Sequence, residues 1–180
     1  MLKSFSTKQL IFLTLIGTLA FLIDIIITYS FYFATGITGI GYIVTTFFFV
    51  VILVVGSLSV KKFGAFTIMA LVYAFLMFPI QGPRKLIVAL IIGIIVDTIL
   101  YFSNYKKLGY YLAGFVSTLV TIGLFALYLF LLKLPEFDKF ISALPLFVLP
   151  ALIEMAIAVW AGFFIYNKIK NKKIVKQISN

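Results

Sequence analysis

The chain has 180 residues, of which 64% are hydrophobic and 11% charged. A body this small must leave much of its area outside, so this composition excludes a soluble domain, and its apolar content excludes disorder. The net charge is +10, from 15 Lys/Arg against 5 Asp/Glu, and it lies in short clusters between apolar runs, which is the pattern of membrane topology rather than of nucleic-acid binding.

The apolar runs predict an all-α, polytopic membrane protein, one domain over residues 1–180 built as a bundle of six transmembrane helices. About 20 apolar residues cross a bilayer core of about 30 Å. Span one covers 10–33 and carries Asp24. It is too long for a cleaved signal peptide, holds an acid and has no small-residue cleavage pattern after it. Gly36, Gly39 and Gly41, with Thr35 and Thr38, interrupt the run. Span two covers 37–60 without a charge, and Lys61 and Lys62 follow it. Span three covers 63–80 and ends at Pro79, Gly82 and Pro83, because proline stops helices and biases its predecessor away from them. Span four, 86–102, is short and holds Asp97. Residues 103–107 lead into span five, 108–132. The longest loop, residues 133–143 with Pro135, has room for a short surface helix. Span six, 144–166, holds Glu154. The runs do not alternate with period two, so they are not strands of a barrel.

Orientation follows from the distribution of Lys and Arg. With the N-terminus inside, the inner side holds eleven of them and the outer side four: Arg84, Lys85, Lys133 and Lys139. Both termini are therefore expected in the cytoplasm, with the protein multi-pass in the cell membrane. Lys133 and Lys139 are accompanied by Glu136 and Asp138. Arg84 and Lys85 have no such partners, and Arg84 offers a planar fork of donors suited to an anionic group of a ligand.

Asp24, Asp97 and Glu154 are costly in hydrocarbon, about 2.5–3.5 kcal/mol each at mid-depth when charged. No Lys or Arg lies within the assigned spans to pair with them. Each must be neutral, hydrogen-bonded or open to a watery cavity. Small residues accompany them: Gly17, Ala20 and Thr28 share a stripe with Asp24, and Gly93 lies one turn before Asp97. Pro150, Ala151, Ala158 and Ala161 share a stripe with Glu154. Such residues indicate close helix packing. Asp97 reads as an interhelical hydrogen-bonding acid, structural or functional. Asp24, Glu154, Gln81 and Arg84 map to the outer half and are the polar candidates for a substrate site, with Tyr29 and Tyr42 as aromatic candidates.

The chain carries no Cys and no His, which removes disulfides, thiolate sites and the commonest metal ligand and general base. No metalloprotease, nucleotide-binding or serine-hydrolase motif is present. A non-enzymatic role without metal or cofactor is expected.

Several stretches carry a family resemblance. They are STKQLIFLTLIGTLAFLID at the start, ITGIGYIV followed by an apolar helix, KKFGAF at Lys61–Phe66, GIIVDTIL at Gly93–Leu100, and the basic end GFFIYNKIKNKK. Together they resemble the substrate-binding S component of energy-coupling factor (ECF) transporters, over nearly the whole chain. The resemblance implies that a vitamin or related micronutrient is captured at the outer face, under a lid from residues 33–41 and 80–85. It also implies delivery inward with a transmembrane coupling subunit and two cytoplasmic ATPase subunits. The family often shows alanines four apart in span one that dock on the coupling subunit. Here the nearest matches are Thr14 with Thr18 and Gly17 with Ala20, which become the expected docking residues. Two other readings remain at this stage. One is a six-helix scaffold of the rod-shape-determining type, which has a similar Gly-to-Asp helix. The other is a stand-alone small transporter or channel.

Overall fold

The computed structural model describes residues 4–35, 38–133 and 136–179. Among them the chain is helical without strands. The helices are α1 (Thr7–Thr35), α2 (Thr38–Val60), α3 (Ala65–Gln81), α4 (Arg84–Phe102), α5 (Lys107–Leu131), α6 (Glu136–Ile169) and α7 (Lys173–Ser179). Four of these, α1, α4, α5 and α6, contain stretches long and apolar enough to cross a membrane. Val44–Val60 within α2 and Ala65–Gln81 are shorter apolar helices. The protein is thus a membrane-embedded, multi-pass helical bundle.

The helices pack as a ring. α3 lies against α4, α4 against α5, α5 against α6, and α6 against α2. The contact between α2 and α3 is thin, and α1 packs on both of them along that seam. Gly17 permits the approach of α1 to α3: a Cβ there would lie 2.7 Å from the Met69 carbonyl oxygen. Ala20, also buried, packs with Tyr73 and Met77 of α3.

One end of the bundle is densely packed. Leu58, Val96, Leu100, Tyr110, Ala113 and Val159 form one buried cluster there. Leu13, Leu53, Val60, Ala65, Met69 and Ile178 form a second. α1 begins at this end with a reciprocal cap: Ser6 N donates to Gln9 Oε1 (3.1 Å) and Gln9 N donates to Ser6 Oγ (3.3 Å). Gln9 Nε2 also donates to the Ile178 carbonyl (2.9 Å), and Lys62 Nζ donates to Gln9 Oε1 (2.8 Å). These bonds hold α7 against the start of α1.

Asp97 is fully buried and serves α3 rather than its own helix. Phe66 N donates to its Oδ1 (3.1 Å), and Thr67 N and Thr67 Oγ1 donate to its Oδ2 (2.8 and 2.6 Å). Amides in the first turn of a helix have no partner within it, and a carboxylate there also meets the positive end of the helix dipole. Gly93, one turn earlier, lets α4 come close enough: a Cβ there would lie 2.8 Å from Thr67 Cα.

The backbone differs from the sequence reading at three places. Pro79, read as a helix stop, lies inside α3, which runs on to Gln81. The loop assigned to residues 133–143 is helical from Glu136 and continuous with span six, so α6 has 34 residues with Pro145 and Pro150 inside it. The basic end includes α7, which folds back onto α1 and α2.

Asp97→Ala leaves two buried first-turn amides of α3 without acceptors. It is expected to cost about 2–4 kcal/mol of stability, read as a lowered melting temperature in detergent. Asp97→Asn keeps one acceptor oxygen and should fall between the two.

Candidate functional site

The other end of the ring is loosely filled and holds a partly open cavity of about 360 Å³. Ligand pockets typically measure about 300–1,000 Å³. All of the helices from α1 to α6 contribute to its wall. Phe49 and Val50 of α2, Phe66 and Ala70 of α3, Ile92 of α4 and Met155 of α6 make it mainly apolar. Its polar groups fall into two sets.

The first set joins α1, α3 and α4. Asp24 is 6% exposed. Its Oδ2 accepts from Tyr73 Oη at 2.5 Å and its Oδ1 from Thr28 Oγ1 at 3.1 Å. Thr28 lies one turn after Asp24 on the same face, so the sequence itself places that donor. The Tyr73 ring packs on Phe49, centroids 4.6 Å apart. Lys85 Nζ lies 5.2 Å from the Tyr73 ring centroid on the cavity side. Tyr73 thus touches both the Lys85 ammonium, through its ring, and the Asp24 carboxylate, through its hydroxyl.

The second set consists of hydroxyls. Ser117, Thr118 and Thr121 of α5 line the cavity, as do Thr45 and Thr46 of α2. Ser117 and Thr118 both donate to the Gly114 carbonyl at 2.9 Å, and Thr121 donates to the Ser117 carbonyl at 2.7 Å. Hydroxyls that bond back onto their own helix can lie in an apolar span without an unsatisfied proton.

Among the substrate candidates from the sequence, Asp24 lines this cavity. Arg84 and Gln81 are not among its lining residues. The Arg84 guanidinium sits 5.4 Å from the Tyr128 ring centroid, while Gln81 ends α3. Tyr29 is 49% exposed and packs on Phe33. The Tyr42 side chain lies outside the described residues. Glu154 faces a separate surface groove with Phe47, Leu149, Pro150, Ile153 and Ile157. Its Oε1 is buried without a hydrogen-bond partner among the described residues.

Of the docking candidates, Gly17 and Ala20 are buried against α3 inside the chain, where close packing needs their small size. Thr14 is exposed and Thr18 is half-buried. Thr18 Oγ1 donates to the Thr14 carbonyl.

Lys85 corrects the expectation that no cation lies within a span. It is the second residue of α4, and it reaches the cavity that Asp24 also lines. Tyr73 and the α5 hydroxyls were not singled out from the sequence. The spacing of Ser117, Thr118 and Thr121 in an otherwise apolar helix was the available signal.

The absence of native cysteine makes single cysteines direct reporters of the cavity. Ala89→Cys and Ser117→Cys, both on its wall, are expected to react with a small water-soluble methanethiosulfonate. Leu53→Cys, at a position 0% exposed, is expected to remain unmodified by intact-mass measurement.

No protein-family model, curated protein or solved structure matches the chain.

Proposed function

We propose that this chain is the membrane-embedded substrate-binding subunit of an ECF-type importer. In this reading all of α1 to α6 cross the membrane, with both termini in the cytoplasm. α3, at 17 residues, reaches the lower limit of about 17 residues for a crossing helix. The cavity then opens toward the outer face, and the packed end with α7 faces the cytoplasm.

The observation that carries the reading is the cavity itself, shared by α1 to α6 and bearing both Asp24 and Lys85. A binding protein needs polar groups that converge on an enclosed volume. A scaffold needs only an interaction surface, so the cavity favours the binder. The chain lacks a nucleotide-binding motif, which fits a division of labour in which partner subunits hydrolyse ATP. The micronutrient would be held at the cavity and released inward after docking on a coupling subunit. Thr14 and Thr18 remain the span-one residues available at the α1 surface for such docking.

Affinity purification of the chain from its native membrane is expected to bring down a coupling subunit and two ATPases. Uptake of the micronutrient should stop when the ATPases are inactivated. Uptake by this chain alone in ATPase-free vesicles would instead identify a stand-alone transporter.

The orientation has its own check. A cysteine at Asp138 is expected to react with an impermeant thiol reagent added to intact cells. One at Lys106, in the α4–α5 turn, is expected to be protected until the cells are opened. The reverse pattern would invert the topology.

A further inference from the structure

The hydrogen-bonding capacity of the cavity is divided between its walls. On α5, the hydroxyls of Ser117, Thr118 and Thr121 each give their one proton to a backbone carbonyl of the same helix. A hydroxyl has one donor and two lone pairs, so this wall offers acceptors to anything in the cavity. Lys85 is the opposite case. An ammonium has three donors and no acceptor. Its neighbour is the face of the Tyr73 ring. Among the described residues it makes no hydrogen bond and no ion pair at contact distance.

Asp24 does not engage these donors. No hydrogen bond or ion pair joins it to Lys85 among the described residues, and its oxygens accept from Tyr73 and Thr28 instead. The Tyr73 ring stands beside the ammonium. The rest of the lining is mainly apolar, from Phe49, Val50, Ile92 and Met155, with Thr45 and Thr46 of α2 as its other hydroxyls.

Resting on the reading of this cavity as a ligand site, we propose that its ligand is a small organic anion with an apolar body. The anionic group, a carboxylate or similar acceptor, takes the free donors of Lys85. N–H or O–H donors at the other end of the molecule meet the oxygens of Ser117, Thr118 and Thr121. Lys85, rather than Arg84, is the cation that selects the ligand, because Lys85 lines the cavity and Arg84 does not.

Three matched probes test this by calorimetry on the full chain in nanodiscs, with empty discs subtracted. They are 4-(4-aminophenyl)butanoate, its primary amide, and 4-phenylbutanoate. The first has both the anion and the donor, the second lacks the charge, and the third lacks the amine. The amino acid is expected to bind roughly 10- to 100-fold more tightly than its amide. It should bind roughly three- to tenfold more tightly than 4-phenylbutanoate. Lys85→Met should erase the first preference and keep the second, while Lys85→Arg should keep both. Thr118→Val should reduce the second preference alone. If Lys85→Met does not yield monodisperse protein, the comparison of acid with amide on the unmodified chain decides the anion. Equal binding of acid and amide overturns the anionic class, as does absence of binding by the acid up to its solubility limit. Either result leaves the co-purification test of the importer reading standing, and failure of that test leaves the probe result intact.

Discussion

The contact on which the cavity's geometry depends is the one between the Asp97 carboxylate and the first turn of α3. It fixes two helices at once. α3 gains the acceptors that its leading amides lack, and α4 gains a defined depth and rotation against α3. With α4 held at Thr67, its opposite end places Lys85 beside Tyr73. The bond is formed at the packed end of the bundle, where neighbouring side chains exclude water and an uncapped amide would be costly. A carboxylate that is poorly suited to hydrocarbon in isolation is well suited to this position, because three donors surround it.

The same division between a packed end and an open end runs through the other helices. Buried aliphatic side chains such as Leu53, Leu58, Leu100 and Val159 gather near the α2–α3 and α4–α5 turns and α7. Toward the other end the helices keep their apolar outer faces, but small or hydroxylated residues replace bulky ones inside: Ala70, Ala89, Ser117, Thr121 and Ala151. Packing stabilises one half of the ring, and the volume forgone in the other half is the cavity. α1 completes the wall where α2 and α3 meet only thinly, and Gly17 and Ala20 are the reason it can sit deep enough for Asp24 to reach Tyr73.

The helical class and most helix positions were legible in the sequence because continuous apolar runs of membrane length have few other solutions. Span one, read as 10–33, is Thr7–Thr35, and span five, read as 108–132, is Lys107–Leu131. The pairing of Gly93 with Asp97 was also legible, since residues one turn apart share a face. The beginning of α6 was not. Pro135, Glu136, Asp138, Lys139 and Pro145 have the composition of a loop, yet the backbone from Glu136 continues into span six. Lys85, read only as an outer cation beside Arg84, was left out of the candidate site for a related reason. A hydropathy boundary assigns a charged residue to the loop, whereas a long flexible side chain on the first turn of a helix can extend along the bundle. The role of Gly17 was ambiguous because a small-residue stripe looks the same whether its partner is another subunit or the next helix.

The length of α6 carries a mechanical consequence. Its 34 residues extend about 51 Å at about 1.5 Å per residue, against a hydrocarbon core of about 30 Å. Tilts within the usual range of up to about 40° cannot absorb that excess. The stretch of α6 apolar enough to cross a membrane is Val148–Ile169, so with that stretch in the hydrocarbon the segment from Glu136 to the region of Pro145 falls in the headgroup layer or beyond it. This is a hydrophobic mismatch confined to one stave of the barrel. A thicker bilayer would draw more of that stave into lipid and a thinner one would release it, so the height of the rim on the α6 side is set by the thickness of the membrane as well as by the fold.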